Sequence, residues 1–342
     1  MSIDTARKIV DFAVKITPPT QRINFGFFGG EPLLCPNLLQ NIIRYIREKE
    51  KEIQNPISLN IATNGTLLDR NNLEFIKEEN INLCLSIDGP ENVHDLNRIY
   101  NDGRGSFEEV FRSLKLILNT LPKFQVNAVY SPNTIDSLLD VVSFFDKLNV
   151  AAIHLNPNIC TPWDENISLK LKGFFMELAN YYIQCYKKKR EIALNLIDSK
   201  VILLVKKGYE EADKCSMGER EWAFAPSGNI YPCERFIGED NDDFFCLGNI
   251  HTGLNQKSIC NLLEHRGNNE EKCKTCNLQI YCMNWCGCTN YYTTGHSDLV
   301  SSFICENEKA IIEAAKHVLV TLKDNDLFLD HLLKYYHNSR EI

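Results

Sequence analysis

No apolar run in this chain reaches the roughly 18 residues that suit a membrane-spanning helix, and none of its 342 residues belongs to a repeat or a low-complexity tract. The first residues are not expected to be a secretory leader. Met1 to Lys15 has neither a basic stretch nor an apolar core behind it, and reads as an amphipathic helix. Positive charge is in deficit, with 37 Lys and Arg against 45 Asp and Glu, a net charge of −8 and a pI near 5.6. That balance argues against a nucleic-acid partner. The one dense basic run, Lys187 to Arg190, closes a predicted helix and reads as a solvated helix end placed favourably for the helix dipole. What remains is a cytoplasmic globular protein without a membrane partner, 44% hydrophobic and long enough to bury a substantial core.

Cysteine, by contrast, is abundant and uneven. Four of the fourteen are scattered over the first 200 residues and ten lie between Cys215 and Cys305. Without an oxidising compartment a disulfide framework has nowhere to form, so the dense region points to metal. Cys35, Cys84, Cys160 and Cys185 read as small buried hydrophobes, since free cysteine is among the most buried residue types.

The first 160 residues alternate strand and helix signals. Strands are expected at Ile23 to Phe28, Ile57 to Thr63, Ile81 to Ile87, Gln125 to Tyr130 and Ala151 to Asn156; helices at Asn37 to Ile53, Asp69 to Glu79, Ser106 to Leu121 and Thr134 to Leu148. Strict alternation implies crossover units and a parallel sheet, open or curled into a barrel, with both faces buried. Ligands of such sheets bind beyond the carboxyl ends of the strands. There the sequence places Gly29-Gly30-Glu31-Pro32, Thr63-Asn64-Gly65, Ser86-Ile87-Asp88-Gly89 and Asn156-Pro157-Asn158. Helices are expected next at Ser168 to Lys189 and Asn195 to Lys207, and a final amphipathic helical stretch at Glu306 to Tyr336.

Spacing separates two cysteine groups. In the first, Cys215 is followed after twelve residues by Gly228 and after four more by Cys233; Trp222 to Cys233 reads as a hairpin with Gly228 supplying a positive φ at the turn. Such a hairpin brings Cys215 and Cys233 to one end of a two-stranded unit. The second group is Cys273-x2-Cys276-x5-Cys282-x3-Cys286, then Cys288 and, after a gap, Cys305. Four thiolates per centre serve iron–sulfur clusters and structural zinc alike, so spacing leaves both metals open.

These residues resemble the radical S-adenosylmethionine (SAM) enzymes that carry a C-terminal SPASM domain, a family that modifies peptides and proteins, including sulfatase maturases and thioether-forming maturases. Cys215, Gly228, Cys233, Cys273, Cys276, Cys282, Cys286 and Cys305 match the SPASM signature in order and spacing. Phe28-Gly-Gly-Glu-Pro32 resembles the motif that binds the amino group of the methionine moiety. Ser86-Ile-Asp-Gly89, His94-Asp-Leu-Asn-Arg98 and Gly103-Arg-Gly-Ser-Phe107 resemble later family features, where Ser86 and Arg98 approach the cofactor's ribose or carboxylate. The resemblance implies a partial (β/α)6 barrel lacking its first strand (residues 1–165), bridging helices (166–210), a small iron–sulfur domain with a hairpin (211–305) and a C-terminal helix (306–342). It implies cofactor contacts from Gly29, Gly30, Glu31, Pro32, Asn64, Ser86, Asp88 and Arg98. It further implies two auxiliary 4Fe–4S clusters. Cys273, Cys276, Cys282 and Cys305 hold one; Cys215, Cys233 and Cys286 supply three ligands of the other, whose fourth position falls to Cys288 or stays open for a substrate sulfur.

One family feature is absent. The cluster that cleaves SAM is held by a C-x-x-x-C-x-x-C loop, and no such motif occurs in these residues. The chain as written is therefore expected not to generate the radical itself, and the active form, with a third cluster and SAM, to be longer. The functional expectation is a peptide or protein maturase served by an electron donor, with a cysteine-containing substrate. A non-catalytic peptide-binding module and a zinc scaffold are the alternatives.

Overall fold

The computed structural model describes residues 1–241, 244–264 and 270–341, with side chains as far as 335. Residues 242–243, 265–269 and 342, inside the expected segments 211–305 and 306–342, lie outside the described residues.

Five strands, β1 (Ile23–Phe27), β2 (Ile57–Thr63), β3 (Asn82–Ser86), β4 (Gln125–Tyr130) and β5 (Ala152–Pro157), pair in parallel in sequential order. Helix α1 (Ile3–Ile16) precedes them, and α2 (Pro36–Glu50), α3 (Arg70–Glu78), the single turn α4 (Glu91–His94), α5 (Phe107–Thr120) and α6 (Leu138–Lys147) fill the crossovers. A monotonic order of crossovers of one hand stacks every helix on the same side of the sheet. One face is accordingly buried: Leu59, Ile61, Leu83, Leu85, Val126, Ala128, Ile153 and Leu155 are all at most 2% exposed.

The opposite face corrects the expectation of a sheet buried on both sides. Asn60, Ala62, Cys84, Ser86, Gln125, Asn127, His154 and Asn156 alternate with the buried residues and are only half-buried. Ser86, Asn127 and His154 stand side by side across three strands. Asn156 Nδ2 donates to Asn127 Oδ1 at 2.6 Å, and Asn82 Nδ2 to Asn60 Oδ1 at 3.0 Å. The concave side of a curled sheet is thus a polar surface, the arrangement of a partial barrel lined for a ligand.

Helices α7 (Glu165–Lys187) and α8 (Asn195–Lys206) follow, and pack with α12 (Ser302–Leu322) and α13 (Asp326–Glu341) into the core of the parallel sheet. The final stretch is two helices, a correction to the single one expected. Lys323–Asn325 interrupt it, and Asn325 Oδ1 accepts the Phe328 N–H at 3.0 Å, capping the second.

A second, smaller core gathers around Met217, Ile230, Tyr231, Phe236, Phe245 and Leu247. The expected hairpin is there as β6 (Ala223–Phe224) and β7 (Asn229–Tyr231), with Gly228 at φ +94°, and β8 (Gly248–Asn249) and β9 (Gly253–Leu254) extend it to four antiparallel strands. Short helices α9 (Gln256–Glu264), α10 (Glu271–Lys274) and α11 (Gly287–Thr294) carry the cysteine-rich chain back to α12. Phe12 of α1 packs edge-on against Trp222 and Phe224, tying the first helix to this module. No helix among the described residues is long and apolar enough to cross a membrane.

Candidate cofactor and metal site

The carboxyl ends of the strands carry most of the expected cofactor residues. After β1 the chain turns through Gly29 at φ +125°, a conformation glycine adopts without strain, and a Cβ built on Gly29 or Gly30 meets nothing within 4 Å. Open space over bare backbone lets a ligand approach closely. Glu31 then caps the turn begun by Pro32: Oε1 accepts from Leu33 N at 3.0 Å and Thr63 Oγ1 at 2.8 Å, and Oε2 from Asn64 N at 2.7 Å. A carboxylate has about four acceptor positions. Two of these bonds lace the end of β1 to the end of β2 and a third closes the turn, which leaves one position for a ligand. Asn64 folds back on its own loop, its Oδ1 accepting from the backbone N–H and hydroxyl of Thr66.

Beyond β3, Asp88 is 4% exposed and takes the Arg98 guanidinium as a fork, Nε to Oδ2 at 2.7 Å and Nη2 to Oδ1 at 3.0 Å. Val129 N also donates to Oδ1, at 2.8 Å, so Asp88 joins β3 to β4. Two of the Arg98 donor groups are spent inside the protein. The sequence reading passed over what fixes this loop. His94, fully buried, accepts the Asp88 N–H on Nδ1 at 3.2 Å, which leaves Nε2 to donate to Ser106 Oγ at 3.1 Å; Ser106 in turn donates to the Arg98 carbonyl at 2.9 Å. Burial, reinforced by Arg98 against Asp88 and Asp95, lowers the His94 pKa to about 4. The imidazole is therefore neutral and its tautomer fixed by its partners.

The eight cysteines expected to bind metal fall into two neighbourhoods. Cys286 caps α11 and Cys288 sits in its first turn, their sulfurs 3.4 Å apart. Cys288 is buried in the smaller core, and Cys215, Cys233 and Cys286 pack against that core. In the other neighbourhood Cys305, in α12, interacts with Cys273 and Cys282, and Cys276 N–H donates to the Cys273 carbonyl at 3.1 Å. Burial and then Glu221 push the Cys215 thiol up; burial and then Glu308 do so at Cys282; contact with Cys233 pushes Cys288 up to about 11. Thiols in such surroundings ionise only against positive charge, and a bound metal deprotonates them outright. Among the described residues no three His, Cys, Asp or Glu side chains close on one point tightly enough for a single ion. Of the cysteines read as buried hydrophobes only Cys185 is buried; Cys35 and Cys160 are exposed and Cys84 is half-buried on the polar face of the sheet, because that face is not packed.

The model of the radical SAM superfamily matches residues 1–145, the segment that contains β1 to β4 and their crossover helices. Residues 1–145 thus resemble a radical SAM domain. A cysteine-type anaerobic sulfatase-maturating enzyme of Clostridium novyi is 23% identical over 306 residues, 86% of this chain and 80% of the relative. The radical SAM cyclopropyl synthase TigE of Paramaledivibacter caminithermalis is 23% identical over 340 residues, 93% of this chain and 66% of the relative. The solved structure of native anSMEcpe with bound AdoMet has the same fold, with a TM-score of 0.81 at 19% identity over 95% of this chain and 91% of that one. The matched segment holds the loops after β1, β2 and β3 and the polar residues of β2, β3 and β4, whereas His154 and Asn156 of β5 and the cysteine-rich module lie beyond it.

Proposed function

We propose that this protein takes part in radical SAM modification of a peptide or protein substrate, with two auxiliary 4Fe–4S clusters in its cysteine-rich module. The observation that carries the reading is the division of eight cysteines into two neighbourhoods beside a radical SAM domain. Relatives whose names state protein maturation or a radical SAM synthase support it. When bound, SAM supplies a radical able to take a hydrogen atom from substrate, and auxiliary clusters accept or deliver single electrons.

This chain's own residues do the holding. Gly29 and Gly30 leave room for a ligand at the end of β1, and the remaining acceptor position of Glu31 suits an ammonium. Pro32 starts the turn that fixes Glu31, Asn64 sets the neighbouring loop, and Ser86 begins the polar row Ser86–Asn127–His154. Asp88 and Arg98 hold the β3 loop in place. The amides of Asn60, Asn127 and Asn156 on the concave face offer donors and acceptors to an extended peptide. Cys273, Cys276, Cys282 and Cys305 hold one cluster, and Cys215, Cys233 and Cys286 hold three corners of the other. An electron donor and a cysteine-containing substrate complete the set of partners.

Anaerobic reconstitution with iron and sulfide tests this. The expected result is about eight iron and eight sulfide per chain, against about two metal ions for two closed zinc sites. A chain that takes up zinc and rejects iron refutes the reading.

A further inference from the structure

We infer that Lys200 and Glu308 are positioning residues of the cysteine-rich module: together they hold the backbone that aims Cys282 at its cluster, and their opposite charges cancel beside it. The inference rests on the iron–sulfur reading above and deepens it.

Cys282 leaves the turn Gln279–Tyr281 in an extended conformation, with φ −94° and ψ 140°. The peptide group before it carries the Tyr281 carbonyl, and the one after it carries the Met283 N–H. Both are held by side chains from other parts of the chain. Lys200 Nζ, on α8, donates to Tyr281 O at 3.0 Å, and Glu308 Oε2, on α12, accepts from Met283 N at 2.6 Å. Fixing the two peptide planes fixes both dihedral angles between them, and with them the direction of the Cys282 side chain. Lys200 and Glu308 join each other at 2.7 Å, so the clamp is one unit. Glu308 also stands three residues after Cys305 on α12, on the same side of that helix. The pair thus ties the segments of two cysteines assigned to one cluster to a common point.

Stability alone does not call for such a pair. Its side chains are 6% and 8% exposed, and apolar residues of similar volume are often as stable as a buried ion pair or more so. What apolar residues lack is a donor for the Tyr281 carbonyl and an acceptor for the Met283 N–H. All three ammonium hydrogens of Lys200 have partners: Glu308, Tyr281 O and, at 3.4 Å, the Tyr209 hydroxyl. Tyr209 N–H in turn donates to the Ile280 carbonyl at 2.9 Å, so the hold extends along the loop from Ile280 to Met283. In the low dielectric of the interior, a lone charge changes the energy of adding an electron nearby. Lys200 and Glu308 together place no net charge beside the Cys282 loop.

The test uses the whole chain, reconstituted anaerobically, as wild type, as Glu308→Gln and as the double variant Lys200→Met with Glu308→Leu. Iron is counted, folding is checked by circular dichroism, and the midpoint potentials and signals of the reduced clusters are followed by electron paramagnetic resonance. Wild type is expected to hold about eight iron. Glu308→Gln keeps an acceptor for the Met283 N–H but leaves the Lys200 charge unbalanced; the potential of one cluster should rise and that of the other stay in place. The double variant strands no charge but has no clamp; it should fold, yet give an altered signal from that same cluster or lose iron toward about four per chain. A pair that serves the fold alone would move neither reading in a folded variant. Folded Glu308→Gln with both potentials in place, or with both shifted alike, overturns the inference, as does a double variant with wild-type iron and spectra or one that fails to fold. If Glu308→Gln does not fold, the double variant decides alone. Each of these outcomes, with wild type at about eight iron, overturns this inference only; zinc in place of iron overturns the iron–sulfur reading with it.

Discussion

Lys200 and Glu308 come from helices α8 and α12, 108 positions apart, and meet at 2.7 Å with side chains 6% and 8% exposed. Lys200 Nζ also donates to the Tyr281 carbonyl at 3.0 Å, and Glu308 Oε2 accepts the Met283 N–H at 2.6 Å. The pair thereby grips the backbone on both sides of Cys282. Burial works against the Lys200 charge, and Glu308 and then Tyr209 outweigh it, so its pKa stands above the ordinary lysine value. Removing one partner strands a buried charge, which costs about 3–5 kcal/mol. At about 2 °C per kcal/mol, the lower end of the range and suited to a large domain, Glu308→Ala should melt roughly 6–10 °C below wild type. Replacing both, as Lys200→Met with Glu308→Leu, should recover most of that loss, because no charge is left unpaired. Differential scanning fluorimetry of the three proteins decides it, and iron content of the same samples shows whether the Cys282 loop still holds its cluster. A single variant that melts with wild type, or a double variant as unstable as the single, would refute the account.

Three further outcomes follow from the site geometry. His94 is neutral when folded, with its pKa lowered to about 4 from 6.5, so its contribution to stability is complete above pH 6.5 and is lost as pH falls toward 4; at about 1.4 kcal/mol per pKa unit it reaches roughly 3 kcal/mol. Urea midpoints of wild type and His94→Gln across pH 4 to 7 should converge on the acid side, and parallel curves would count against it. Gly105→Ala would set a Cβ 2.0 Å from Asp95 Oδ2 and break the Asp95 hold on the Phe107 N–H, costing about 1–3 kcal/mol in a chemical denaturation curve. Glu31→Ala strands the Thr63 hydroxyl and the Asn64 and Leu33 N–H groups; a loss of about 1–3 kcal/mol is expected, with faster hydrogen exchange at Asn64 than in wild type.

The parallel strands lie where their short apolar runs and bounding turns put them, within a residue or so at each end, because each run is bounded locally by turn residues and by the helix signals that follow. The loops after β1, β2 and β3 were legible for the same reason, since glycine and capping residues act over two or three positions. The polar face was written in the alternation of Asn60, Cys84, Ser86, Gln125, Asn127, His154 and Asn156, but alternation alone does not say whether helices cover one side or both. Sequential strand order decided that, and strand order is a property of the assembled sheet. The break between α12 and α13 had a local signal in Asn325, a capping residue inside an amphipathic stretch. Other features had none. The pairing of His94 with Ser106, of Asp88 with Arg98 and of Lys200 with Glu308 exists only once the fold brings these residues together and removes water from around them. Cysteine content and spacing by themselves pointed to metal and separated the cysteines of the module into two groups along the chain. That Cys215, Cys233, Cys286 and Cys288 gather at one small core is decided by contacts between distant parts of the chain, which exist only once it folds.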